Sequence, residues 1–131
     1  GDVESMVVLG WSYMNGLFAE KNPTEAVRLF RRAADKGNAS AMSGLGSAYA
    51  WGIGGLTSNS REAARWFVAA LRGGERMTLN EFKFASAIYS AQVRRAIVER
   101  LKADGHYTGP VTDTFTPAVI AAMERLVAGG K

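Results

Sequence analysis

The sequence predicts an all-α protein: an α-α superhelix, or solenoid, of two helix-turn-helix repeats plus a C-terminal helical module. Three observations carry this prediction. The first half of the chain repeats itself at an offset of 36 residues that later becomes 37, and apolar residues recur at helical spacing. Helix-capping residues also recur at matching positions in both copies.

The composition supports a folded protein and limits its partners. With 131 residues and 47% hydrophobic content, the chain is able to bury a core. The net charge is +4, but the 16 basic residues are scattered among 12 acidic ones, so we expect no nucleic-acid partner. No apolar run approaches the ~20 residues that a membrane span requires. The absence of cysteine excludes disulfides but does not select a compartment.

The repeat boundaries follow from the self-alignment of the chain. The first repeat covers residues 1–36 and the second covers residues 37–74, with a one-residue insertion in the loop at 53–57. The positions that match between the two copies are Leu9-Gly10 with Leu45-Gly46, Tyr13 with Tyr49, Gly16 with Gly52, Ala26 with Ala63, Phe30 with Phe67, and Gly37 with Gly74.

Two helices are predicted in each repeat. The first helix has Met6, Leu9, Gly10 and Tyr13 on one face in the first copy. Glycine inside a helix costs about 1 kcal/mol relative to alanine, so Gly10 and its counterpart Gly46 indicate close packing against another helix.

The second helix of each repeat has a clear start and end. Asn22 and Asn59 are N-cap residues, and Pro23 fits the first helical position. Gly37 and Gly74 follow the last periodic residues, where a helix ends most easily on a residue without Cβ. The arginines of the second helices are expected to form a solvated face: Arg28, Arg31, Arg32, Arg61, Arg65 and Arg72.

The pattern Leu-Gly-x-x-Tyr-x-x-Gly, a loop, then Glu-Ala-x-x-(Leu/Trp)-Phe-x-x-Ala resembles the Sel-one-like repeat family, which is related to tetratricopeptide repeats. The resemblance covers residues 1–74. It implies a non-catalytic scaffold or adaptor of a bacterial protein, in the periplasm or the cytoplasm, that binds a protein or peptide along a concave face. Because about three units usually stabilise a solenoid, and the chain begins with Gly-Asp, we expect neighbouring repeats or a cap in a longer protein.

Three residues are the candidates for contact with that partner. The repeat alignment places Trp11 at the position of Ser47 and Trp51 at the position of Asn15, so neither tryptophan fills a shared core position. Exposed tryptophans on a concave face would anchor an interface. The partner-binding hypothesis is therefore Trp11, Asn15 and Trp51, and the alternative is that each tryptophan packs on the next unit.

The C-terminal part, residues 78–131 after repeats in residues 1–77, is predicted as a helical cap and module. Thr78-x-x-Glu81 matches a capping box that opens a helix with Phe82, Ala85, Ile88 and Tyr89 on one face. Ser90 restarts a helix that ends near Gly105, and Thr116-Pro117 caps the last helix.

Within this part, the string Gly105-x-Tyr107-x-Gly109-x-Val111-x-Asp113-x-Phe115 resembles the peptidoglycan-binding-domain-like family. The resemblance covers roughly residues 90–128 and implies Tyr107, Asp113 and Phe115 near a cell-wall ligand, in a bacterial periplasm. The family's glutamines are missing from the first and last helices here. Two alternatives stay open: a peptidoglycan-binding module, or a module retained as a structural cap.

No catalytic or metal site is predicted. His106 is the only histidine, so the chain has no Ser-His-Asp triad and no multi-histidine metal site, and no cofactor is expected. A last alternative is an accessory region of an enzyme, such as a caspase-like peptidase, whose catalytic domain lies outside this chain.

Overall fold

The computed structural model describes residues 2–129, and within that range it contains helices and no strand. This confirms the all-α superhelix class. Gly1, Gly130 and Lys131, the outermost residues of the predicted ranges, lie outside the described part. The elements are α1 (Val3–Asn15), α2 (Pro23–Asp35), α3 (Ala39–Trp51), α4 (Ser60–Arg72), α5 (Arg76–Phe84), a 3₁₀ turn (Ser86–Ile88), α6 (Ala91–Ala103) and α7 (Pro117–Val127).

The second helix of each repeat begins where the sequence predicts. The side-chain oxygen of Asn22 accepts a hydrogen bond from the backbone N–H of Glu25 at 3.2 Å, and that of Asn59 accepts one from Glu62 at 3.0 Å. Gly37 follows α2 with a φ of 89°, in the left-handed region that favours glycine. The loop at 52–59 is one residue longer than the loop at 16–22, as the insertion predicts.

The two repeats are held together by a phenylalanine between glycines. Phe30 on α2 is fully buried. A Cβ on Gly10 of α1 would lie 2.8 Å from its ring, and a Cβ on Gly44 of α3 would lie 2.7 Å from it. Only glycine at both positions lets α2 approach the first helix of its own repeat and the first helix of the next.

Leu9 and its repeat counterpart Leu45 differ in burial. Leu45 is fully buried, whereas Leu9 is 42% exposed. The cause is positional, because α2 covers α3 at Leu45 and no described helix covers α1 on the corresponding side. This shared repeat position is therefore buried only in the second copy.

The predicted helix start at Thr78 is wrong, because α5 begins at Arg76. The carboxylate of Glu75 accepts a hydrogen bond from the backbone N–H of Met77 at 3.0 Å, so the N-cap lies three residues before Thr78. Thr78 is buried, and its hydroxyl donates to Ser43 at 2.8 Å. The boundary predicted at residue 77 thus falls inside α5.

The helix predicted to continue through Ile88 ends at Phe84. Ala85 leaves helical geometry at φ −139° and ψ 31°, and a 3₁₀ turn follows. Ile88 is consequently exposed and does not share the buried face of Phe82. The later helices begin as predicted: Ser90 accepts from the N–H of Val93 at 3.2 Å and Thr116 accepts from that of Val119 at 3.3 Å.

The C-terminal third shares one hydrophobic core with the second repeat. Phe67 of α4 packs edge-to-face on Phe82 of α5, with ring centroids 5.2 Å apart, and on Tyr89 at 5.3 Å. Ile97 and Leu101 of α6 and Met123 of α7 are fully buried in the same cluster. The second repeat is therefore covered on its C-terminal side by apolar residues of α5, α6 and α7.

A Gly44→Ala substitution tests the packing between the repeats. Alanine favours a helix by about 1 kcal/mol over glycine, but overpacking a rigid core costs about 1–3 kcal/mol. We expect a net loss of about 1 kcal/mol in the free energy of unfolding, measured with urea. Combining Gly44→Ala with Phe30→Leu should cost less than the sum of the two single changes. A Gly44→Ala protein at least as stable as the parent would contradict the tight contact with Phe30.

Candidate partner-binding groove

A groove runs across the first helices of the two repeats and α5. Its volume is about 530 Å³, in the range of pockets that bind small ligands or a few side chains of a peptide. Both apolar and hydroxyl side chains line it. The lining residues are Trp11, Asn15, Ser40, Ser43, Ser47, Trp51, Glu75, Met77, Thr78, Glu81 and Tyr89.

The structure brings the three predicted partner-binding residues to this one groove. Asn15 and Trp51 are the last residues of α1 and α3, and Trp11 lies one turn before Asn15. The common groove follows from the repeat, because equivalent positions on successive first helices face the same side of a solenoid. The hypothesis that they bind a partner remains a prediction.

The two tryptophans differ in their packing and exposure. The ring of Trp11 packs edge-to-face on Phe30 at 4.8 Å, and its indole N–H donates to the hydroxyl of Ser40 at 3.1 Å. Trp51 is 48% exposed, and its ring stacks on Tyr89 at 5.0 Å. Trp11 is thus partly a packing residue, whereas one side of Trp51 is available to a ligand.

Tyr89 anchors the α5 side of the groove. Its hydroxyl donates to the Oε1 atom of Glu81, and its ring contacts Phe67, Phe82 and Trp51. Burial, followed by the hydrogen bond to the Glu81 carboxylate, raises the pKa of Tyr89 above its ordinary value. The phenol therefore stays protonated and keeps donating to Glu81.

The floor of the groove is formed by small hydroxyl residues of α3. Ser40, Ser43 and Ser47 recur at intervals of three and four residues and so lie on one helix face. Ser43 accepts the hydrogen bond from Thr78 that joins α3 to α5. Small side chains here leave space for a ligand between the tryptophans and α5.

The three candidates for contact with a cell-wall ligand, Tyr107, Asp113 and Phe115, lie in different environments. Tyr107 is only 6% exposed, and its hydroxyl donates to the carbonyl oxygen of Pro110 at 2.8 Å. Phe115 packs edge-to-face on Phe82 at 5.3 Å. Asp113 is exposed, and its backbone carbonyl accepts from Arg94 Nε at 2.7 Å. Tyr107 and Phe115 thus contribute to packing and loop closure, and the hypothesis that the three residues bind a cell-wall ligand remains a prediction.

The second helices carry six of the arginines, and two of these pair with a glutamate on the same helix. Arg28 forms an ion pair with Glu25, and Arg65 forms one with Glu62 at 3.1 Å, both three residues apart on their helices. The hydrogen bond and charge of Arg28 lower the pKa of the Glu25 carboxyl below its ordinary value. Exposed pairs of this type contribute little stability.

The contribution of α5 to the groove is absent from the sequence-based site. Glu75, Met77 and Glu81 lie on a helix outside the repeat alignment, so no equivalent position pointed to them. The serines of α3 were accessible to sequence reasoning, because Ser47 aligns with Trp11. The face of α3 that corresponds to Trp11 therefore carries these serines, and helical periodicity could have predicted them.

Stacked helix pairs with a groove across their first helices define an α-helical repeat protein of the tetratricopeptide-related class. The family model of the Sel1 repeat matches residues 3–38 and 39–75, which is more than half of the chain. The chain belongs to the Sel1 repeat family. No curated protein and no solved structure matches it significantly.

Membership in this family fixes the general class of function. Sel1 repeats generally mediate protein–protein interaction and are generally non-catalytic scaffolds. Among residues 2–129, no helix is long and apolar enough to cross a membrane. Membership in the Sel1 repeat family therefore implies a protein partner for this chain.

The raised pKa of Tyr89 predicts a loss of stability at high pH. Because the folded-state pKa lies above the unfolded value of about 10, the contribution is complete below pH ~10 and falls as the unfolded phenol ionises. The slope is at most about 1.4 kcal/mol per pH unit. In urea unfolding above pH ~10, Tyr89→Phe should lose less stability than the parent, relative to neutral pH. Equal losses in the two proteins would contradict the raised pKa.

Proposed function

We propose that this chain is a non-catalytic scaffold that binds a segment of a protein partner in the groove formed by α1, α3 and α5. The observation that carries the proposal is the common position of Trp11, Asn15 and Trp51 on that groove. Family membership supplies the general class, and the groove supplies the surface.

The side chains of the groove suit a peptide. Trp51 offers a large, half-exposed ring that is already fixed on Tyr89, so binding costs little side-chain entropy. Tryptophan is enriched among the residues that dominate interface energies. The amide of Asn15 and the hydroxyl of Ser47 provide donors and acceptors for a peptide backbone.

The proposal assigns no ligand to the C-terminal loop. Tyr107 and Phe115 both contribute to packing within the C-terminal third, and the fully buried residues of α6 and α7 cover the second repeat. In this proposal the C-terminal third supports the groove by presenting α5 and Tyr89 to it.

The test is selection of peptides from a random library displayed on phage, using the purified chain as the target. Peptides that bind the groove should bind a Trp51→Ala variant at least about tenfold more weakly, because that change removes the central aromatic contact. Phe84→Ala is the matched control, since Phe84 is a large exposed ring that does not line the groove.

Two further results decide the proposal. Backbone amide signals of groove residues should shift when a selected peptide is added to isotope-labelled protein. Selected peptides that bind Trp51→Ala as well as the parent, or whose addition shifts only signals elsewhere, would reject the groove as the binding surface.

A further inference from the structure

The charge of the groove is opposite to that of the whole chain. The chain has a net charge of +4, yet the charged residues that line the groove are Glu75 and Glu81. Among residues 2–129, neither carboxylate forms an ion pair. From this juxtaposition of two carboxylates without an ion-pair partner and an exposed tryptophan ring, we infer that the groove selects a basic peptide segment carrying lysine or arginine. This inference rests on the proposed function of the groove.

Glu81 and Trp51 together form a site for one cationic side chain. The Oε1 atom of Glu81 accepts from the hydroxyl of Tyr89, and Tyr89 in turn stacks under Trp51. A carboxylate has about four acceptor positions, so Glu81 keeps acceptor capacity for a donor from the ligand. A guanidinium or ammonium group beside it gains a charge-assisted hydrogen bond and the face of a tryptophan ring.

Glu75 provides a second carboxylate at a defined spacing. It is the N-cap of α5, and Glu81 is six residues further along, which corresponds to about 9 Å along a helix axis. An extended peptide advances about 3.3 Å per residue, so two basic residues about three positions apart would match both carboxylates. Met77 is exposed between them and offers an apolar contact to a residue of the peptide.

Apart from the N-terminal end of α5, which the carboxylate of Glu75 caps, the remainder of the groove is neutral or favours positive charge. Ser40, Ser43 and Ser47 place hydroxyl groups on the floor, and Asn15 adds an amide. Helices α1 and α3 end at the groove, and the C-terminal end of a helix carries a partial negative charge. Arg28 and Arg65 lie on the second helices and pair with their own glutamates. Arg76, the residue after Glu75, is exposed but does not line the groove.

The experiment uses the peptides selected from the phage library against the full chain. We expect pairs of lysine or arginine to be enriched, and affinity to fall about fivefold for each of Glu75→Gln and Glu81→Gln. Glutamine keeps an acceptor oxygen for the N–H of Met77 or the hydroxyl of Tyr89, so both variants should remain folded, as circular dichroism will check. Glu99→Gln, on α6, makes the same change of charge outside the groove and should leave affinity unchanged.

A change in the peptide gives an independent measurement with the unaltered protein. Replacing each arginine of a selected peptide by citrulline, its neutral isostere, should weaken binding to the parent and have little effect on binding to the Glu75→Gln, Glu81→Gln double variant. Because the chain is cationic overall, non-specific attraction would favour acidic peptides, so a basic preference has to come from the groove.

The outcomes separate this inference from the proposed function. Peptides that depend on Trp51 but show no basic enrichment, or that bind the double variant as well as the parent, would overturn the charge preference and leave the scaffold function in place. A library that yields no Trp51-dependent peptide would reject both.

Discussion

The packing of Phe30 between two glycines is the constraint on which the arrangement of the repeats depends. The ring lies on Gly10 of its own repeat and on Gly44 of the next, at distances that admit no Cβ. A solenoid is stabilised by such interfaces between neighbours, and their geometry sets the angle between successive units. The direction in which α1 and α3 present Trp11 and Trp51 to a common groove is consequently fixed by a contact that lies behind the groove, in the core.

The second repeat contains the same phenylalanine–glycine contact on one side and a different contact on the other. Phe67 packs on Gly46, as Phe30 packs on Gly10, but its other neighbours are Phe82 and Tyr89. An aromatic cluster thus replaces the phenylalanine–glycine contact at the boundary with the C-terminal third. Because Tyr89 belongs to this cluster and also stacks on Trp51, the core and the groove share a residue. Stability of the C-terminal third and the shape of the groove are coupled through that ring.

The sequence predicted the elements that depend on local chemistry. Asn22 and Asn59 cap their helices through their own side chains, and capping is a contact over three residues. Prediction from sequence failed where tertiary contacts decide which residue caps a helix or which residue is buried. Thr78 satisfies a capping pattern, but its hydroxyl is engaged by Ser43 from another helix, and Glu75 takes the cap. Leu9 repeats a buried position but lacks the covering helix that buries Leu45.

The candidate groove shows the same division between residues placed by local periodicity and residues placed by tertiary contacts. Alignment of the repeats placed Trp11, Asn15 and Trp51 on equivalent faces, which was enough to group them, because helical periodicity fixes the direction of a side chain. Glu81 and Met77 were out of reach, since α5 matches no repeat position in the alignment and its location depends on long-range packing of Phe82. Periodicity therefore grouped three of the lining residues, and the contribution of α5 required the fold.

The net charge of the whole chain is a poor guide to the charge of its partner. The net charge of +4 favours acidic partners if the chain is treated as a single object. The solenoid, however, separates its charges: arginines lie on the second helices, partly neutralised by glutamates on the same helices, and the groove carries two carboxylates. At physiological salt, charges more than about 8 Å apart are largely screened, so a bound side chain responds to the carboxylates beside it. The local charge of the groove, opposite in sign to the total, is the quantity that sets the preference for a partner.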